Sequence, residues 1–174
     1  SSSPWGSAML LTITYGYIKM LGEEGLRTAT QMAIVNANYM ASAIKDEFRT
    51  YYSGETGRVA HEMILDLTHF KREYGVDCGD IAHRLMDYGF HAPTIYFPLL
   101  FHQAIMIEPT ETESKETLDG FIEIMRHIAE EAISDPESLK TAPHTTPVRR
   151  LDETTAARQP VLKVKDMVDH SMSI

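Results

Sequence analysis

Residues 77–107 read DCGDIAHRLMDYGFHAPTIYFPLLFHQAIMI, and within them one helix gives way to two strands. Asp77 stands as an N-cap ahead of Ile81, Ala82, Leu85 and Met86, which recur at helical spacing. Gly89 supplies the left-handed residue that ends this helix after about three turns. Gly89 and Pro93 then fix the backbone around His91. Thr94 to Phe97 and Ala104 to Ile107 carry the β-branched and aromatic content of strands, with Pro98 to Gln103 as their connection.

Outward from this stretch the pattern repeats. Ser114 caps a long helix whose Leu118, Phe121, Ile122, Met125, Ile128, Ala129 and Ala132 form one apolar stripe, ending before Pro136. Upstream, Ala8 to Leu21 reads as a buried helix stopped by Gly22. Glu23 to Phe48 reads as a second helix, with Leu26, Ala29, Ala33, Ala37, Met40, Ile44 and Phe48 on its docking side. Arg49 to Tyr52 and Glu62 to Leu67 are short strands flanking a loop that contains Ser53-Gly54-Glu55-Thr56-Gly57. Within the second, Glu62 and Asp66 share a side expected to be solvated or to lie at a sheet edge. Helix, strands, helix, strands, helix is the order of an α+β two-layer domain, with helices on one face of a small, mainly antiparallel sheet. The expected division is this domain over 1–135 and an extended tail over 136–174. Prolines 136, 143, 147 and 160 and weak periodicity mark that tail as a surface segment needing a partner to order it.

A chain of 174 residues with 43% hydrophobic content supports one proper core. Twenty-five acidic against 16 basic residues give a formal charge of -9, which argues against nucleic acid or an anionic membrane as partner. One cysteine, Cys78, makes no internal disulfide and no metal pair, so a reducing cytosol is the simplest setting. The short apolar run Ala8 to Leu11 supports neither a signal peptide nor a membrane span. Ser1 to Ser7, without an initiator Met, is expected to belong to a longer polypeptide.

Two turn segments present polar groups at strand ends, where α+β domains display working side chains: Gly89 to Thr94 and Met106 to Glu111, in which Pro109 turns the chain just after Glu108. His61-Glu62 lacks the second histidine of a zinc-protease helix, since position 65 is Leu, and the remaining histidines have no ligand spacing, so no metal site is expected. No glycine-rich nucleotide cradle and no nucleophile elbow occur. Met20, Met40, Met63, Met86, Met106 and Met125 fall on apolar faces and read as core fillers. Arg149-Arg150 reads as an anion clamp or, preferred on composition, an exposed charge cluster, and Ser7 as a loop cap or a hydroxyl near a phosphate.

Six ordered segments resemble the C-terminal region of glycine dehydrogenase (decarboxylating), the P-protein of the glycine cleavage system. They are Pro4 to Ala8, Tyr17 to Met20, Asn36 to Met40, His61 to Asp66, Asp87 to Thr94 and Ile107 to Glu111. Thr141 to Glu153 and Pro160 to Leu162 are similar to subunit 2 of the two-subunit bacterial form. The resemblance implies the C-terminal small domain of a fold-type-I pyridoxal-phosphate enzyme. Such an enzyme decarboxylates glycine and passes the aminomethyl group to the lipoyl arm of the H-protein. It implies subunit 1 as a partner, a cytoplasmic location and an oligomer.

The family's Schiff-base lysine lies upstream of Pro4 to Ser7, and none of Lys19, Lys45, Lys71, Lys115, Lys140, Lys163 or Lys165 sits in a matching motif. A chain of this extent is therefore expected to hold no pyridoxal phosphate alone and to be inactive alone. It would supply active-site wall through His91 and Thr94, backed by Glu108, His61 and, on the cofactor side, Ser7. The competing reading is a stand-alone small-ligand-sensing or interaction module. A severed domain should expose the apolar side of Ala8 to Leu21, whereas an autonomous module should use it internally.

Overall fold

The computed structural model describes residues 4–163. In chain order its elements are α1 (Leu10–Ala43), β1 (Arg49–Tyr51), β2 (Met63–Asp66), α2 (Thr68–Tyr74), α3 (Cys78–Asp87), β3 (Thr94–Ile95), β4 (Ala104–Ile107), α4 (Lys115–Ser134), α5 (Pro136–Thr141) and α6 (Glu153–Arg158). The strands form one antiparallel sheet in the order β1-β2-β4-β3. Together with the helices this is the α+β two-layer arrangement expected from the element order.

The sheet's register explains its core. Met63 pairs with Ile107 and Leu65 with Ile105, so these four side chains share the face that meets the helices, and all are buried. Every member of the α4 stripe named above is buried in the same core, and Ser114 caps that helix by accepting from the Thr117 N–H at 3.1 Å. Strand β2 is central, not an edge, and Met63, Ile64 and Leu65 are all buried. On the opposite face Phe101 from the β3–β4 connection stacks on Tyr51 at 4.1 Å. Asp66, half-buried, serves the start of α2 by accepting from the Thr68 N–H at 2.9 Å.

Gly22, at φ 63° and ψ -171°, breaks α1 where a glycine stop was expected, and a second helical run follows it directly. Ala37 and Met40 lie in the core, and Ile44 and Phe48 carry the same stripe onward through the turn after Ala43. The first run differs from expectation. It is helical but not buried: Leu10, Leu11, Ile13, Tyr15 and Met20 are all more than half exposed, because no described element covers them. Of the expected core methionines, Met40, Met63 and Met125 are buried, whereas Met20 and Met86 are exposed.

Strand β3 stops at Ile95, two residues short, because Tyr96 takes a left-handed backbone at φ 58°. The larger departure lies after Pro136. Instead of an extended tail, Pro136 opens helix α5, Leu139 and Ala142 are completely buried, and the chain is bound to α3 as far as Arg150. From Leu151 to Lys163 every residue is exposed. The prolines of 136–150 serve as a helix start and as turns.

Candidate functional site

Helix α3 ends in a double hydrogen-bonded cap. Gly89 N–H donates to the Met86 carbonyl at 3.0 Å and Phe90 N–H to the Leu85 carbonyl at 3.1 Å, with Gly89 at φ 81°. This cap turns Phe90 inward, edge-on to Phe121 of α4 at 5.1 Å. His91 to Thr94 then run along one wall of a groove of about 440 Å³. The other wall is Ile107-Glu108-Pro109 at the end of β4. Pro109 ends strand pairing just past Ile107, which leaves Glu108 at the lip, 59% exposed.

The groove therefore unites three of the expected site residues, His91, Thr94 and Glu108. His61 stands beside them rather than among them: its Nε2 lies 3.9 Å from Glu108 Oε1 and 4.0 Å from Glu62 Oε2. It lines a neighbouring depression of about 310 Å³ with Tyr17, Leu26 and Glu111. Ser7 is not brought to either place; it is exposed, and its carbonyl, not its hydroxyl, takes the Leu10 N–H at 3.1 Å. An imidazole and a hydroxyl on one wall, faced by a carboxylate and floored by apolar groups, can orient a small polar substrate and move a proton at its edge. Among the described residues neither lysine nor arginine lines this groove, and Glu113 adds a second carboxylate to it.

Two residues that sequence reasoning left without a role hold this geometry. Asn36, buried on α1, donates through Nδ2 to the Thr110 carbonyl at 2.9 Å and so fixes the turn behind Glu108. Asn38 donates to the Val59 carbonyl at 2.8 Å and accepts the Val59 N–H at 3.0 Å, fixing the approach to His61. The available signal was a carboxamide next to the apolar stripe at Ala37, since a buried amide side chain must find partners.

A polar cluster anchors the opposite end of the His91 wall. Arg84 donates to Glu131 Oε1 at 2.7 Å and Oε2 at 3.0 Å, and to Asp87 Oδ2 at 3.0 Å. Burial pushes the Asp87 carboxyl up, but the N–H groups of Thr145 and His144 and the Arg84 guanidinium outweigh it and hold it below the usual carboxylate range. Glu131 is held low in the same sense, burial being overcome by Arg84. Arg150 is exposed, as expected, and at the same time donates to Asp80 Oδ1 at 2.6 Å and to the Ala142 carbonyl at 2.7 Å. Asp80 and Asp77 also form the reciprocal cap of α3. At that end burial and the neighbouring Cys78 and Asp77 push the Tyr96 hydroxyl up to about 12. Among the described residues no group of three or more His, Cys, Asp or Glu side chains is arranged to hold a metal ion. No helix among them is long and apolar enough to cross a membrane.

The family described as glycine dehydrogenase, C-terminal domain, matches residues 29–150, ending at the arginine that closes the packed segment after α5. The chain is 46% identical over 159 residues to the probable glycine dehydrogenase (decarboxylating) subunit 2 of Kosmotoga olearia, covering 91% of this chain and 32% of that protein. It is 50% identical over 161 residues to the protein of the same name from Methylococcus capsulatus, covering 92% and 33%. Against the glycine dehydrogenase (decarboxylating) of Christiangramia forsetii it is 52% identical over 158 residues, 88% of this chain and 16% of that one. The chain thus spans about a third of the length of the subunit 2 relatives it matches.

Proposed function

Since the chain belongs to the family of the glycine dehydrogenase C-terminal domain, we propose that it forms one wall of a glycine-decarboxylating active site and has no such activity by itself. The carrying observation is the groove in which His91, Thr94 and Glu108 meet, with His61 against Glu108. These residues come from three segments far apart in sequence, and Asn36 and Asn38 fix two of them from a single helix.

The proposed whole reaction is decarboxylation of glycine with transfer of the aminomethyl group to the lipoyl arm of the H-protein. Pyridoxal phosphate is the proposed cofactor of the whole enzyme. The groove does not fit that group unaided: it has no lysine to bond the aldehyde and no cation for the phosphate, while two carboxylates, Glu108 and Glu113, would oppose a phosphate. Those parts must come from outside this groove. Within it, His91 and Thr94 would bind and orient glycine, and Glu108 with His61 would hold a proton at the lip of the groove. Ser7 would complete the cofactor side only once covered by further protein.

Subunit 1 is the proposed partner, since the relatives are named as subunit 2, and the assembly is proposed to be cytoplasmic and oligomeric. A self-sufficient sensing module is disfavoured by Leu10 to Met20, an apolar helical run left exposed. The test is glycine–bicarbonate exchange with pyridoxal phosphate and H-protein, comparing the 174-residue chain with the gene extended upstream and paired with subunit 1. Exchange in the extended pair alone supports the proposal; exchange by the 174-residue chain alone refutes it.

A further inference from the structure

We propose that the groove between the second run of α1 and the β1–β2 loop binds an organic phosphate, a phosphate monoester carried on an apolar body. This groove measures about 870 Å³. Phe48, Val59, Ile34 and Val35 give it apolar lining, while Lys45, Arg49 and Arg58 stand on it as cations. Among the described residues no carboxylate lines it, in a chain whose acidic residues outnumber the basic ones by 25 to 16.

The three cations share one groove without a carboxylate partner; among the described residues Lys19, Arg72, Arg149, Arg158 and Lys163 also lack one within 4 Å, but none of those lines this groove. Among the described residues, Arg27, Lys71, Arg84, Lys115, Arg126, Lys140 and Arg150 each pair with a carboxylate within 4 Å. Lys45, Arg49 and Arg58 have no such pair. Arg49 lies over the Tyr51 ring at 5.7 Å and acts on Asp66 of the adjacent strand only through longer-range attraction. Glu47, which is near in sequence, is turned away to Arg126 at 3.3 Å. Unpaired like charges gathered on one groove repel each other, and a dianion relieves that repulsion.

The wall bearing Arg58 is fixed in advance. Gly54 N–H donates to the Arg58 carbonyl and Gly57 N–H to the Gly54 carbonyl, both at 2.8 Å, which closes the loop on itself. The next residue, Val59, is held to Asn38 through both its main-chain groups. A ligand therefore meets a formed rim and need order only side chains. Ser53 and Thr56 place hydroxyls on the same loop as further donors. The apolar lining is what selects an ester with a body over a bare inorganic anion.

The experiment is isothermal titration of the 174-residue protein at low salt with adenosine 5′-monophosphate, inorganic phosphate and adenosine as probes. The expected result is one saturable site for the monophosphate, at least about tenfold tighter than inorganic phosphate, with no binding of adenosine. Arg58→Glu and Lys45→Glu, both exposed and outside the core, should each weaken the monophosphate about tenfold or more without moving Tm, while Arg27→Glu should not change it. Absence of saturable binding, equal binding of adenosine, or equal loss in Arg27→Glu would overturn the proposal. So would a glutamate-rich peptide that binds more tightly than the monophosphate and is lost in Arg58→Glu, since the groove would then dock an acidic protein segment.

Discussion

Asn36 on α1 and Thr110 beyond β4, 74 residues apart in sequence, are joined by one hydrogen bond of 2.9 Å from a buried carboxamide to a main-chain carbonyl. That bond places the turn behind Glu108 at a set height over the helix. Asn36→Ala should cost about 1–3 kcal/mol, because it removes a buried partner from the Thr110 carbonyl. Urea unfolding would measure the loss, and hydrogen exchange at Glu111 and Thr112 should rise while α3 stays protected. An unchanged midpoint would mean that water replaces the amide without penalty.

Asp87 and Glu131 make stability acid-sensitive. Both carboxyls are held below their usual range in the folded protein, so their contribution is complete above the unfolded value of about 4 and is lost as pH falls through the lower folded values. Urea midpoints should therefore fall steeply on going from neutral pH to below about pH 4. Asp87→Asn should flatten that acid limb, and Asp87→Ala should cost about 3 kcal/mol at neutral pH by leaving Arg84 and two N–H groups short of a partner. A variant with the same acid limb as the parent would remove Asp87 from the explanation.

Gly89 sits at φ 81°, and a methyl group built there meets nothing within 4 Å. Gly89→Ala is thus a test of backbone conformation alone, with an expected cost of about 1–2 kcal/mol and an unaltered fold. Because Gly89 launches the His91 wall, the same variant should lower activity of the extended pair more than its stability loss explains.

In the extended protein paired with subunit 1, His91→Ala should lower kcat/KM of glycine exchange by about 10²-fold, the scale of a lost proton-transfer group. Thr94→Val should act chiefly on KM, as loss of an orienting hydroxyl would. Glu108→Gln and His61→Gln, whose groups lie 3.9 Å apart, should be less than additive when combined. Full additivity would separate their roles.

The exposed run Leu10 to Met20 should make the 174-residue protein self-associate. Light scattering should give a mass rising with concentration, and Leu11→Glu with Met20→Glu should return it to the monomer. A parent protein that stays monomeric at every concentration would show that this face needs no cover.

Much of the fold was legible because its signals are local. The Ser114 cap, the seven-residue α4 stripe, the Asp77 cap and the left-handed Gly89 each follow from near neighbours in the chain. So did the two turns that carry His91, Thr94 and Glu108. What was missed depends on contacts between distant segments. Nothing beside Pro136 announces that Asp87 and Asp80 will fasten the segment after α5, nor beside Glu62 that its strand will be covered on both sides. The apolar run at Leu10 read as buried because hydrophobicity states what a face needs, while only packing states whether it is met.

Asp87 grips the chain after α5 mainly through the main-chain N–H groups of residues 144 and 145. Every amino acid but proline supplies that donor, so the main-chain part of the grip survives most replacements at 144 and 145, while the Thr145 hydroxyl, 3.1 Å from Asp87 Oδ1, and the His144 ring, 3.4 Å from Oδ2, add contacts that such replacements would lose. In any set of sequences sharing this grip, constancy at 87 with proline excluded from 144 and 145 is the pattern selection should leave.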